Sequence, residues 1–236
     1  MILNIRNLKK EYLRGKKPLL AVDNLSLDIE AGAFVCLFGR SGSGKSTFLN
    51  MVAGLLAPTS GKILFDNQEI TGLTEAELAW LRNTHIGFIP QGQSLLPNLT
   101  IFDNVRLPAY LGVTGRFGKI FSEKEGVEEK AFRLLERMGI LELAGQYPSQ
   151  LSGGELRRAA IARALVKSPR LVIADEPTGD LDRDTSKEVM QLFSHIARGG
   201  TTVLVATHQQ DMANYGTELL MLEKGRLQSC PTRNQI

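Results

Sequence analysis

Nine consecutive residues, Gly39-Arg40-Ser41-Gly42-Ser43-Gly44-Lys45-Ser46-Thr47, fit the pattern G-x-x-x-x-G-K-[ST]. Glycines at this spacing let the backbone curl so that successive N–H groups point inward at phosphate oxygens. The Lys45 ammonium is placed to reach the β- and γ-phosphates of a nucleotide, and the Ser46 hydroxyl to hold Mg²⁺. Gly39, Ser41, Gly42, Ser43, Gly44, Lys45, Ser46 and Thr47 are therefore the candidate phosphate cradle. Such a cradle needs a further acid for the metal at the end of a neighbouring strand. Asp175 meets that need after the apolar run Leu171-Val172-Ile173-Ala174. Glu176 follows directly and faces the terminal phosphate, where a carboxylate accepts a proton from the attacking water or polarises it. An acidic pair at a strand end is common in isolation; here it gains weight from the loop it accompanies.

A second anion site is written into Leu151-Ser152-Gly153-Gly154-Glu155, a Ser-Gly-Gly turn ahead of a helix expected over residues 155–167. Taken alone, that turn is an ordinary helix cap. Two phosphate-binding motifs lie far apart in one chain that has a single cradle lysine. A head-to-tail dimer with two-fold symmetry resolves this, each nucleotide lying between the Lys45 loop of one subunit and Ser152, Gly153 and Gly154 of the other.

The elements that must position these residues alternate. Strands are expected over 2–8, 19–29, 33–38, 62–65, Ile86–Ile89, 171–174 and 202–206. Helices are expected over 46–56, 75–82, 155–167 and 185–198, the last stopped by Gly199-Gly200. Strands alternating with helices argue an α/β fold built on a parallel sheet. Residues 93–149 break the alternation and read as a mostly helical insertion, clearest over 127–138 where Val127, Ala131, Leu134, Leu135 and Met138 share one face. Residues 115–126 read as an exposed, charged loop.

Composition bounds the alternatives. The chain of 236 residues is 43% hydrophobic and 22% charged, which fits one large or two small globular domains and excludes a disordered or fibrous chain. Its formal charge of +3 falls short of a nucleic-acid-binding composition, and no nucleic-acid partner is expected. Two cysteines, Cys36 and Cys230, make neither a disulfide scaffold nor a metal cluster, and Cys36 sits in an apolar run where it packs as a small hydrophobe. No stretch approaches the roughly 18 apolar residues that span a bilayer. Arg6, Lys9, Lys10 and Glu11 stand where a signal peptide needs an apolar block, so a cytoplasmic chain is expected.

In ordered combination these motifs resemble the ATP-binding cassette of ABC transporters over nearly the full chain. Gly39 to Thr47 match the Walker A motif, Gln91 the Q-loop glutamine, Leu151 to Glu155 the signature and Leu171 to Glu176 Walker B. Thr178-Gly179-Asp180-Leu181-Asp182 resemble the D-loop, His208 matches the switch histidine, and Tyr12 lies where the family places an aromatic that stacks on adenine. The resemblance implies an α/β P-loop NTPase of the ABC ATPase type: a mostly parallel core sheet, an antiparallel β region and an inserted helical subdomain. It divides the chain into a nucleotide-binding core of residues 1–92 and 150–236 and an insertion of about 93–149. It implies ATP and Mg²⁺ as ligands. Ser46, Gln91 and Asp175 would hold the metal, and Glu176, His208 and Gln91 would act on the γ-phosphate and its water. Asp182 would reach toward the opposite Walker A loop.

A finer likeness rests on Ile89-Pro90-Gln91, Leu95-Leu96-Pro97-Asn98-Leu99-Thr100 and Asp103-Asn104-Val105-Arg106-Leu107-Pro108. These resemble cassettes of macrolide-exporter and lipoprotein-release systems, with cell-division and peptide-resistance cassettes related. That branch implies an ATP-bound homodimer on the cytoplasmic face of the inner membrane, driving a separate permease, with a periplasmic adaptor as an optional component. The insertion would carry the docking groove, with Leu95, Leu96, Leu99 and Phe102 as candidates or as plain core. A cell-division-type cassette acting without transport and a soluble non-transport ATPase are the alternatives. The chain departs from the family pattern at Ala33, at Leu156-Arg157-Arg158 in place of a glutamine-rich stretch, at Asp180 in place of a frequent asparagine, and at Gln209-Gln210.

Overall fold

The structure is a computed structural model that describes residues 1–15, 17–111 and 126–228. Two long strands open the chain, β1 (Leu3–Arg14) and β2 (Lys17–Ile29), paired antiparallel. With β4 (Ser60–Phe65) and β5 (Gln68–Glu69) they form a four-stranded sheet in the order β2-β1-β4-β5. The second sheet has six strands: β3 (Phe34–Phe38), β6 (Ile86–Ile89), β7 (Leu171–Asp175), β8 (Thr202–Thr207), β9 (Glu218–Glu223) and β10 (Arg226–Gln228). Their order is β10-β9-β3-β8-β7-β6, and all neighbours pair parallel except β10 with β9.

Unbroken apolar runs mark strands covered on both faces. The period of two sorts their side chains. Along β3, β7 and β8, Val35, Leu37, Ile173 and Leu204 face a core shared with Ile5, Leu25, Phe48 and Leu49. Phe34, Cys36, Val172 and Val203 face the other core, with Val105, Leu135, Ile161 and Phe193. The first core joins the parallel sheet to the antiparallel one, to α1 (Lys45–Val52) and to α2 (Glu75–His85). The second is roofed by α3 (Ile101–Tyr110), α4 (Val127–Arg137), α5 (Gly153–Leu165) and α6 (Arg183–Arg198), with the short α7 (Gln210–Ala213) at its edge.

Several boundaries differ from the sequence reading. Helix α1 stops at Val52 rather than running to residue 56, because Gly54 turns into the left-handed region (φ 65°) and the Leu55 and Leu56 N–H groups bond back to the Asn50 carbonyl. Strand β1 continues past residue 8 to Arg14, carried by pairing with β2 rather than by a buried face. The parallel sheet does not end with β8: β9 adds to the free side of β3, and β10 follows it. Of the segment 93–149, the described part holds α3, α4 and two 3₁₀ turns, Leu141–Leu143 and Pro148–Gln150. The expected loop at 115–126 lies outside the described residues except for Gly126, and so does Cys230. Among the described residues no helix is long and apolar enough to cross a membrane.

Cys36 packs as expected. It is fully buried, and burial pushes its thiol up to about 12. A thiol held so far from ionising is inert. In a Cys230→Ser chain, a disulfide-exchange reagent is expected to titrate no thiol under native conditions and one after denaturation. Fast labelling of the folded chain would contradict this packing.

Candidate active site

The loop between β3 and α1 is clamped from two sides and braced by one hydrogen bond of its own. The Gly39 N–H donates to the Thr207 carbonyl at 3.3 Å, the Ser43 N–H to the Arg40 carbonyl at 3.1 Å, and the Gly225 N–H to the Ser43 carbonyl at 2.9 Å. Two glycines are required by space. A Cβ on Gly39 would lie 2.4 Å from the Leu222 carbonyl oxygen, and one on Gly44 2.1 Å from that of Ala21. Gly44 (φ 107°) precedes the first turn of α1 with no side-chain cap, so the N–H groups of that turn face outward unpaired by any cap, as an anion site needs. Lys45 is 5% exposed, and its ammonium donates to the Gly39 carbonyl at 2.7 Å and the Arg40 carbonyl at 3.3 Å.

Beside it, β7 ends in the acid pair. Asp175 is buried, and burial pushes its carboxyl above the usual range, with the Ser46 hydroxyl and Lys45 opposing. Its Oδ1 has no hydrogen-bond partner. An orphaned carboxylate oxygen next to a hydroxyl is the hard-oxygen donor set that a divalent cation takes. Glu176 turns back under β8: its N–H donates to the Ala206 carbonyl at 2.9 Å and it adopts φ 48°, an uncommon conformation for a residue with a Cβ. This turn aims the carboxylate at the loop. Oε1 sits 3.3 Å from the Lys45 ammonium, while Oε2 is 2.7 Å from His208 Nδ1 and accepts from the His208 N–H at 3.3 Å. One buried carboxylate is thus held between a cation and an imidazole at the mouth of the loop.

The structure brings Lys45, Ser46, Asp175, Glu176 and His208 together. Gln91 follows β6 and is exposed. Tyr12 on β1 is 40% exposed, paired with Leu19, and the Lys10 ammonium lies 5.4 Å from its ring centre. Ser152 is the N-cap of α5: its hydroxyl accepts from the Glu155 N–H at 3.4 Å and donates to Glu155 Oε2 at 2.8 Å, a capping box. Gly154 is needed for packing, since a Cβ there would meet Thr185 Cγ2 at 2.6 Å. The Asp182 carboxylate caps α6, accepting from the Asp184 and Thr185 N–H groups at 3.0 Å. Among the described residues no hydrogen bond or ion pair joins Ser152, Gly153, Gly154 or Asp182 to the Lys45 loop of the same chain. Leu222 and Gly225 went unread in the sequence, although Leu219-Leu220-Met221-Leu222 ahead of Lys224-Gly225 is a strand-and-turn signal.

A glycine-rich loop at the C-terminal edge of a buried parallel sheet, an acid pair ending an adjacent strand and a second glycine-started helix define a P-loop ATPase of the cassette type. The chain belongs to the ABC transporter family, whose model matches residues 22–179, and it is an ATPase of that family. It is 38% identical over 226 residues to the uncharacterized ABC transporter ATP-binding protein YknY of Bacillus subtilis, across 96% of this chain and 95% of that one. It is 40% identical over 225 residues to the macrolide export ATP-binding/permease protein MacB of Rhodopirellula baltica, across 95% of this chain but 32% of that longer one. Among solved structures, the post-hydrolysis dimer of the ATP-binding cassette MJ0796 bound to ADP and Pi superposes with a TM-score of 0.87 at 36% identity, covering 97% of each chain.

Proposed function

We propose that this chain is the ATP-hydrolysing subunit of an export-type or mechanotransmission ABC system, working as an ATP-bound homodimer beneath a separate membrane permease. The observation that carries the catalytic half is the Glu176 carboxylate, buried and bridged to Lys45 at 3.3 Å and to His208 at 2.7 Å. Lys45 and the first-turn N–H groups of α1 bind the β- and γ-phosphates. When an attacking water lies against the terminal phosphate, Glu176 takes its proton, and His208 holds the carboxylate in line. Ser46 and Asp175 would hold Mg²⁺, with Gln91 as a further ligand, and the ion would neutralise charge on the phosphate oxygens. Tyr12 would stack on the base.

The dimer half rests on separation. Among the described residues no hydrogen bond or ion pair joins the start of α5 or Asp182 to the Lys45 loop of the same chain, and the similar cassette MJ0796 is described as dimeric with ADP and Pi. In this reading Ser152, Gly153 and Gly154 of one subunit close on the phosphates held by the other, with Asp182 alongside. The nucleotide-binding core is residues 1–92 and 150–236, and about 93–149 is the helical insertion that meets the permease. The relative whose name joins ATP-binding and permease supports a permease partner, and in this reading the chain works on the cytoplasmic face of the membrane. A periplasmic adaptor belongs to the same proposal.

Ser152→Arg tests the shared site. Arginine keeps no N-cap hydroxyl and fills the face offered to the second subunit. Hydrolysis is expected to fall at least about a hundredfold, a loss typical of removing one transition-state donor. Nucleotide affinity of the monomer, followed by fluorescent ADP titration, is expected to stay within about twofold. Parent-level turnover in this variant would sink the dimer reading.

A further inference from the structure

Arg157 is a cation on α5 with 7% of its surface exposed, and it sits in none of the motifs. Its guanidinium donates to the Pro90 carbonyl at 3.3 Å, one residue before Gln91. It opens into a cavity of about 110 Å³ lined by Gly92, Gln93 and Leu95 on one side, Gly153 on its own helix, and Asp180 on the loop before α6. A buried charge is costly unless it is compensated. Burial lowers the Arg157 pKa, and the Asp180 carboxylate opposes that shift. Six residues along the same helix, Arg163 donates to the Ser94 carbonyl at 2.7 Å and to the Ser94 hydroxyl at 2.8 Å. Helix α5 therefore grips the Gln91 loop at both ends, and only one grip faces the Asp180 loop.

We propose that Arg157 is a positioning residue that locks three segments together: the Gln91 loop through the Pro90 carbonyl, the Ser152–Gly154 turn through its own helix, and the loop before α6 through the charge of Asp180. A shift of the Asp180 loop then changes the balance on a buried cation and is felt at Gln91. The inference rests on the reading that Gln91 and the α5 start act on the nucleotide of the working dimer.

The test is a double-mutant cycle on the full chain with Arg157→Gln, Asp180→Asn and the pair combined, reading kcat and KM for ATP. Each single variant is expected to lower kcat about five- to tenfold with KM within about twofold, and the double variant to be no worse than the poorer single, because coupled charges are lost only once. Losses that multiply in the double variant, or an effect confined to KM, would overturn the proposal. Asp180 is exposed, so Asp180→Asn keeps its fold and carries the test alone if Arg157→Gln does not fold: parent-level kcat in it overturns the proposal. Glu176→Gln serves as the control. If its turnover stays within about tenfold of the parent, the site reading fails. If it is inactive while the cycle is additive, only the role of Arg157 fails.

Discussion

Replacing Glu176 by glutamine is expected to reduce ATP turnover by about two to four orders of magnitude, the contribution of a positioned general base. The substitution preserves shape. A glutamine carbonyl still accepts the His208 N–H, and the side chain still occupies the buried space under β8. What it loses is the ability to take a proton and the charge that sits 3.3 Å from Lys45. Both losses act in one direction. Without that counter-charge the lysine interacts more strongly with an anionic phosphate, so nucleotide binding is expected to persist or tighten while hydrolysis stops. Phosphate release gives the first quantity and fluorescent-nucleotide titration the second. Sedimentation with ATP is expected to show a dimer that the parent populates only transiently. Turnover within tenfold of the parent would move the base to another residue.

The second large effect concerns the loop's backbone. In Gly44→Ala the new methyl would lie 2.1 Å from the Ala21 carbonyl oxygen, at a φ of 107° that alanine rarely adopts. The obstacle is main chain of β2, which cannot rotate away as a side chain would. Strain of this kind costs on the order of 3 kcal/mol, which for a domain of this size lowers Tm by roughly 6–12 °C. Gly42→Ala is the control. Its φ is also positive, 78°, but nothing lies within 4 Å of the added Cβ, so only the conformational cost of about 1 kcal/mol applies. Calorimetry of the two variants separates them. Equal melting points would show that contact with Ala21 does not set the loop.

These two residues mark where local pattern is informative and where it stops. The run from Gly39 to Thr47 and the strand into Asp175 and Glu176 were legible because their spacing is local and their context, strand before and helix after, is itself local. The bounds of β6 were legible for the same reason, since Ile86–Ile89 is apolar and closed by a proline. What holds these segments is not local. The left-handed turn at Glu176 arises from an N–H bond to Ala206, thirty residues on, and nothing in the residue type announces it. The length of β1 depends on a partner strand rather than on buried alternation. Strand β9 had a readable apolar run, yet without a long helix before it the expected strand–helix rhythm passed it over. Ser152 reads the same in either role: the capping box is present, and a cap is also where an anion would bind.

The clamp on the Lys45 loop has a bearing on how the molecule comes to exist. Gly39 is backed by the Leu222 carbonyl, Ser43 is bonded by the Gly225 N–H, and the neighbouring Arg226 guanidinium grips Asp23 at 2.7 Å. The loop spans residues 39–47, but part of its frame is encoded near residue 225. During synthesis the loop therefore leaves the ribosome long before the strands that shape it. Domains fold as units while the chain emerges, and this one lacks the frame of its nucleotide cradle until β9 and β10 are free of the exit tunnel. A partly made cassette thus does not hold a finished site, and competence to bind and spend ATP arrives with the last strands rather than with the motif that names it.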